Sequence, residues 1–139
     1  VIESSVISAS SSIGPFARLR PKTVIGKYVK IGNYVEIKNS FIGEKTSINH
    51  LSYIGDSKLG KKINIGAGTI TCNFDGKNKN QTIIEDNVFV GSNTSLIAPI
   101  KIGKNAKIGA GSVINQNIPP NSLALERAKL KIIRKNKKK

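Results

Sequence analysis

The sequence predicts an all-β fold, a parallel β-helix of hexapeptide repeats, and three observations predict it. Aliphatic residues recur at intervals of six, at Ile7, Ile13, Leu19, Ile25, Ile31 and Ile37. The interval resumes at Ile42, Ile48 and Ile54, at Leu59 and Ile65, and again at Ile84, Val90, Leu96, Ile102, Ile108 and Ile114. Glycine often follows the aliphatic residue, as in Ile13-Gly14, Ile31-Gly32, Val90-Gly91 and Ile108-Gly109. Aromatic residues are scarce, with four Phe, three Tyr and no Trp. A six-residue period marks a β-helix. Its narrow core takes one aliphatic column per face and has little room for rings.

Three hexads make one triangular coil of about 18 residues. Face A then begins at Ile13, Ile31, Ile48, Ile65, Val90 and Ile108; face B at Leu19, Ile37, Ile54, Thr71, Leu96 and Ile114; face C at Ile25, Ile42, Leu59, Ile84 and Ile102. Two five-residue steps, Ile37 to Ile42 and Ile54 to Leu59, shorten two coils. The interval from Ile65 to Val90 is too long by seven residues, which places an insertion at 72–82. That segment is polar and holds Gly76 and several Asn, so it is expected to protrude as a loop. The chain holds about six coils, a prism about 30 Å tall at about 4.8 Å per stacked strand. The repeat is expected to fill 1–121, ending near Ile118-Pro119-Pro120. An arm follows at 122–139, with Ser122–Ile133 either a short helix or an extended segment and a disordered Lys-rich end.

At 139 residues the chain is one domain. It has no Met and is already in the repeat at its start, which predicts a piece of a longer polypeptide. No apolar run is long enough to span a membrane. The single Cys72 can form no internal disulfide, which suits a reducing, cytoplasmic setting. The net charge is +15, and eight of the cations lie between Arg127 and Lys139. Attraction of anionic ligands explains the excess. So does compositional drift, since Ile, Lys and Asn together supply 55 residues. The tail reads as a solvated basic end, without a nucleic-acid or membrane role.

Stacking places like positions of successive coils side by side. Arg20 and Lys38 both follow a face B aliphatic residue, one coil apart, about 5 Å between backbones. Two such cations either share an anion, such as phosphate, or splay into solvent. The third position of face A reads Pro15, Asn33, His50, Ala67, Ser92 and Ala110. The only histidine stands at the foot of three small residues, spanning about 14 Å. This column fits either a groove for an extended polar ligand with a general base at its end or a surface histidine beside small repeat residues. One His and one Cys exclude a His/Cys zinc cluster within the chain. Ile-Gly-Ala-Gly at 65–68 is repeat, not a phosphate-binding loop.

Longer strings carry a narrower signal. Gly-Pro-Phe-Ala-Arg-Leu-Arg-Pro (14–21), Gly-Asn-Tyr-Val-Glu-Ile-Lys (32–38), His-Leu-Ser-Tyr-Ile-Gly-Asp (50–56), Asn-Ile-Gly-Ala-Gly-Thr-Ile-Thr-Cys-Asn-Phe-Asp-Gly (64–76), Val-Phe-Val-Gly-Ser-Asn-Thr (88–94) and Leu-Ala-Leu-Glu-Arg (123–127) span nearly the whole chain. In them the chain resembles the acetyltransferase domain of the bacterial bifunctional N-acetylglucosamine-1-phosphate uridylyltransferase/glucosamine-1-phosphate N-acetyltransferase. The resemblance implies a left-handed β-helix and a homotrimer with sites between subunits. It implies acetyl transfer from acetyl-CoA to the amine of glucosamine-1-phosphate, a step towards UDP-N-acetylglucosamine and the cell wall. It makes His50 the catalytic base and Arg20, Lys38, Tyr53 and Asn64 the sugar-phosphate ligands. Lys79 matches a position at a neighbouring subunit's active site. Ala67, Asn73, Phe74, Ser92, Ala110 and Arg127 would contact acetyl-CoA, with Phe74 standing where the family commonly has Tyr. No metal is implied here; Mg²⁺ would belong to the uridylyltransferase domain, which these residues do not encode. Two rivals remain: a hexapeptide acetyltransferase for another amino sugar, and a non-catalytic β-solenoid scaffold.

Overall fold

The computed structural model describes residues 1–135. The last residues of the Lys-rich end, expected to be disordered, lie outside them at 136–139. Among the described residues the chain winds through nineteen short strands, three to a coil, and pairing between these strands is parallel. Face C stacks β1 (Val6–Ile7), β4 (Val24–Ile25), β7 (Phe41–Ile42), β10 (Ser57–Leu59), β13 (Thr82–Ile84) and β16 (Ile100–Ile102). Face A stacks β2 (Ser12–Ile13), β5 (Lys30–Asn33), β8 (Ser47–His50), β11 (Asn64–Ile65), β14 (Phe89–Val90), β17 (Lys107–Ile108) and β19 (Leu123–Ala124). Face B stacks β3 (Arg18–Leu19), β6 (Glu36–Lys38), β9 (Tyr53–Gly55), β12 (Ile70–Cys72), β15 (Ser95–Ile97) and β18 (Val113–Ile114).

The register follows the six-residue interval. Ile31 stands on Ile48, Ile37 on Ile54 and Ile42 on Leu59. Across the insertion, Ile65 still stands on Val90 and Leu59 on Ile84. These residues are buried with almost no exposure and form one continuous core. Each burial stabilises the coil by about 1.5–3 kcal/mol.

A second inward column lies two residues before the aliphatic one: Val35, Ser52, Thr69, Thr94 and Ser112 at one corner, Thr23, Ser40, Ser57 and Thr82 at another. Most of its hydroxyls bond carbonyls of the turns. Ser57 Oγ donates to the Gly55 carbonyl at 2.7 Å, Thr94 Oγ1 to Gly91 at 2.7 Å and Ser112 Oγ to Gly109 at 2.6 Å. Hydrogen bonding thus lets Ser and Thr occupy a dry corner. Most corners also carry one residue with positive φ, including Phe16, Tyr34, Leu51, Asn39 and Asp56.

One expectation needs correction. The repeat passes the expected end at 121: Ile118 bridges to Ile102, and six residues later Ala124 stands on Ile108. Of the two alternatives for Ser122–Ile133, the helix does not form. The segment begins with β19 and then runs without regular structure. Leu125, Leu130, Ile132 and Ile133 are exposed, with no helical face buried to hold a helix together. The segment between Cys72 and Thr82 is closed by an antiparallel bridge between Phe74 and Lys79.

Candidate active site

The face A column is built by register. Asn33 pairs with His50, and the ladders carry His50 onto Ala67, Ala67 onto Ser92 and Ser92 onto Ala110. Each carbonyl in this column accepts a backbone N–H from the coil above: His50 from Gly68 at 3.4 Å, Ala67 from Asn93 at 2.7 Å and Ser92 from Gly111 at 2.8 Å. At the top, Arg127 Nε donates to the Ala110 carbonyl at 2.9 Å. A β-carbon on Gly109 would stand 3.0 Å from Arg127 Nη2 and 2.8 Å from Leu125 Cβ, so the glycine makes room for the arm to cross. The His50 imidazole is exposed beside Leu51, which takes φ +48.

A second cluster forms on face B, where the chain turns towards face C. Arg20 stacks beside Lys38, as expected from Leu19 standing on Ile37. Each cation has its own carboxylate: Arg20 Nη1 lies 3.0 Å from Glu36 Oε1, and Lys38 Nζ lies 3.7 Å from Asp56 Oδ2. Tyr53 lies on the coil above Glu36, and its hydroxyl accepts from Asn73 Nδ2 at 3.4 Å. Asn73 Nδ2 also donates to Asp56 Oδ2, while Asn39 Nδ2 donates to Asp56 Oδ1 at 2.7 Å. A β-carbon on Gly55 would stand 2.5 Å from Tyr53 Oη and 2.7 Å from Asn73 Nδ2. Only glycine leaves space there for the ring and the amide.

Burial alone would raise the Asp56 pKa. Hydrogen bonds from Asn39 and Asn73 and the charges of Lys38 and Lys79 outweigh it and hold the carboxyl below the usual aspartate value. The close approach of Lys38 and its positive charge hold Lys79 below the usual lysine value, with Asp56 opposing. Lys79 therefore stands against its own chain's Lys38. The loop that carries it is closed by Asp75, whose Oδ1 accepts from the N–H of Lys77 and Asn78 at 2.8 and 2.6 Å. A groove of about 580 Å³ opens beside the cluster, lined by Lys22, Asn39, Phe41, Asp56, Lys58 and Lys79.

The twelve residues named from the sequence thus fall into separate groups. His50, Ala67, Ser92, Ala110 and Arg127 share the face A column. Arg20, Lys38, Tyr53, Asn73 and Lys79 gather on face B. Asn73 is only 8% exposed and stands with the cations, not with the small-residue column. Phe74 is exposed on the loop, and Asn64 is exposed at the start of β11. The carboxylates Glu36 and Asp56 were not anticipated, because stacking, not any local motif, brings them to the cations. No group of three or more His, Cys, Asp or Glu suited to a metal forms among the described residues. Among them too, no helix is long and apolar enough to cross a membrane.

Comparison with known proteins decides the family. The GMPPB C-terminal domain model matches residues 1–97, and the model of the hexapeptide repeat of succinyl-transferase matches residues 81–116. The chain belongs to the GMPPB C-terminal domain family. Its fold is a left-handed parallel β-helix of hexapeptide repeats. It is 61% identical over 133 residues to the bifunctional protein GlmU of Thermodesulfovibrio yellowstonii, which covers 96% of this chain and 29% of that protein. The chain therefore spans less than a third of the length of the curated relatives it matches. Its likeness is to the C-terminal acetyltransferase domain of GlmU. Among solved structures, a hexapeptide transferase family protein from Anaplasma phagocytophilum aligns over 96% of this chain and 83% of its own, with TM-score 0.79 and 19% identity. The acetyltransferase domain of PglB from Neisseria gonorrhoeae, in complex with acetyl coenzyme A, aligns over 84% of this chain and 55% of its own, with TM-score 0.76 and 19% identity. These two share the fold.

Proposed function

We propose that this domain transfers the acetyl group of acetyl-CoA to the 2-amino group of glucosamine-1-phosphate. The observation that carries the reading is the face A column, in which His50 begins a line of small residues that Arg127 closes. An extended thioester substrate lies along Ala67, Ser92 and Ala110, where no long side chain blocks it. Its acyl end then reaches His50. The imidazole takes a proton as the amine nitrogen attacks the thioester carbonyl; the carbon–sulfur bond breaks, and the thiolate leaves and is protonated. Arg20, Lys38, Tyr53 and Lys79 receive the sugar phosphate by charge-assisted hydrogen bonds. Asn64 supports the sugar, and Asn73 and Phe74 complete the coenzyme site.

The two groups lie on adjacent faces of a convex prism, which cannot easily surround one small sugar with all of them. A homotrimer resolves this, with the face A column of one subunit set against the face B cluster of the next. In the whole bifunctional protein the product would pass to uridylyl transfer, in the cytoplasm, to supply UDP-N-acetylglucosamine.

Thiol release from acetyl-CoA tests the reading, with glucosamine-1-phosphate as acceptor and glucosamine as control. Release with the phosphorylated sugar alone, abolished by His50→Ala, is expected. Equal release with both sugars would remove the phosphate assignment. No release from an assembled trimer, or none lost in the His50 variant, would favour the scaffold reading.

A further inference from the structure

We propose that Asp56 is a positioning residue that holds the ammonium of Lys38 and the side-chain amide of Asn73 in one fixed arrangement, so that the phosphate-binding and coenzyme-binding groups are set together. The functional consequence rests on the roles proposed above for Lys38 and Asn73; the positioning itself does not. Asp56 touches no reacting atom. It acts through its neighbours.

The geometry divides the carboxylate into two jobs. Oδ1 accepts from Asn39 Nδ2, the corner residue one coil below. Oδ2 accepts from Asn73 Nδ2 and lies 3.7 Å from Lys38 Nζ. An ionised carboxylate only accepts, so all three neighbours must present N–H groups to it. Asn73 Nδ2 has two hydrogens, one for Asp56 and one for Tyr53 Oη. With both committed, the direction of Asn73 Oδ1 is fixed. Lys38 has a flexible four-carbon stem, and the carboxylate selects where its head rests. Asn73 is also the first residue of the insertion, so the same contact anchors the loop to the coil. The Asp56 side chain is only 12% exposed, which keeps water from substituting for it.

This assignment opposes simple electrostatics. A negative charge beside a phosphate-binding lysine weakens the positive field, so on charge alone its removal should tighten phosphate binding. Positioning predicts the reverse, because a well-placed contact outweighs a stronger but disordered field.

The test uses Asp56→Asn in the assembled protein. Asparagine tolerates the φ of +48 at this corner, so the turn is retained. Two readouts are taken: the Asn73 side-chain amide signals by NMR without substrate, and kinetics with glucosamine-1-phosphate and acetyl-CoA. The expected result is displaced or broadened Asn73 amide signals, raised KM for both substrates, and kcat/KM lowered about ten- to a hundredfold. Asp56→Glu, which keeps the charge, should restore part of the loss. Asn39→Gly removes the Oδ1 bond, and glycine accepts the φ of +46, so it should loosen Asp56 and give a smaller loss in the same direction. Unchanged Asn73 signals, a lowered KM for the sugar phosphate, or a lower melting temperature with unaltered kinetics would each overturn the proposal. If the parent protein acetylates no glucosamine-1-phosphate, the functional reading above fails, and the Asn73 signals still decide whether Asp56 positions the amide.

Discussion

Arg127 Nε donates to the Ala110 carbonyl at the place where, at Asn33, His50, Ala67 and Ser92 below, a backbone N–H from the next coil donates. A side chain thus finishes the main-chain ladder and leaves the rest of the guanidinium beside the column's end. If that group meets an anionic part of acetyl-CoA, Arg127→Ala removes one charge-assisted hydrogen bond, usually about 1.5–3 kcal/mol. The expected outcome is a KM for acetyl-CoA raised about ten- to a hundredfold, with kcat little changed, in initial-rate measurements. An unaltered KM would confine Arg127 to the role of capping the ladder.

Arg20 and Lys38 stand side by side, yet neither is bare, because Glu36 and Asp56 partner them. A phosphate dianion must draw the cations partly away from these carboxylates. Arg20→Ala should therefore lower kcat/KM for glucosamine-1-phosphate about tenfold or more, through a raised KM for that sugar with the KM for acetyl-CoA unchanged. Stability should hardly move, since partly exposed ion pairs contribute about 0–1 kcal/mol. A rise of equal size in both KM values, with a lowered melting temperature, would show that the arginine serves the fold, not the phosphate.

The fold was legible because six-residue spacing in the sequence is coil geometry in space. The spacing even carried the register across the insertion, where the aliphatic interval returns at Ile84 and Val90. Three features were not legible, each because coil stacking overrides a local signal. Phe16, Tyr34 and Leu51 take positive φ at their corners. Ring and aliphatic residues give no turn signature there, and the strands on either side impose it. The last strand escaped notice because its inward residue is Ala124, not a large aliphatic. Both columns of candidate residues followed from register. Asp56 did not, since its partners Asn39 and Asn73 come from the coil below and from a loop whose path no repeat specifies.

Acid should weaken this fold through its aspartates. The folded-state pKa of Asp56 is depressed, as is that of Asp75, where backbone N–H groups of Asn78 and Lys77 bond the carboxylate. A depressed pKa means the folded chain binds the proton less readily than the unfolded chain. The contribution is complete above the ordinary aspartate pKa, about 3.9, and is lost as pH falls through the lower folded values. Melting temperatures measured from about pH 6 down to about pH 2.5 should fall fastest below about pH 4. Asp56→Asn should flatten that acid limb while lowering the plateau at neutral pH. An acid limb of unchanged slope in this variant would show that other groups govern it.

Filling the face A column separates a substrate track from a bland repeat surface. Ser92 and Ala110 are exposed, and their side chains take no part in the core. A larger side chain at either position meets solvent, so Ser92→Leu should change stability by no more than about 0.5 kcal/mol. It would nevertheless stand in the path of a thioester arm running from Arg127 to His50. The expected outcome is acetyl transfer lowered by at least about tenfold through a raised KM for acetyl-CoA, with the melting temperature and the KM for glucosamine-1-phosphate preserved. Leucine at the exposed, more distant Ser12 of the same face serves as the control and should leave both constants unchanged. Normal kinetics in the Ser92 variant would mean that the coenzyme runs along another edge of the prism, and His50 would lose the observation that ties it to the acyl group.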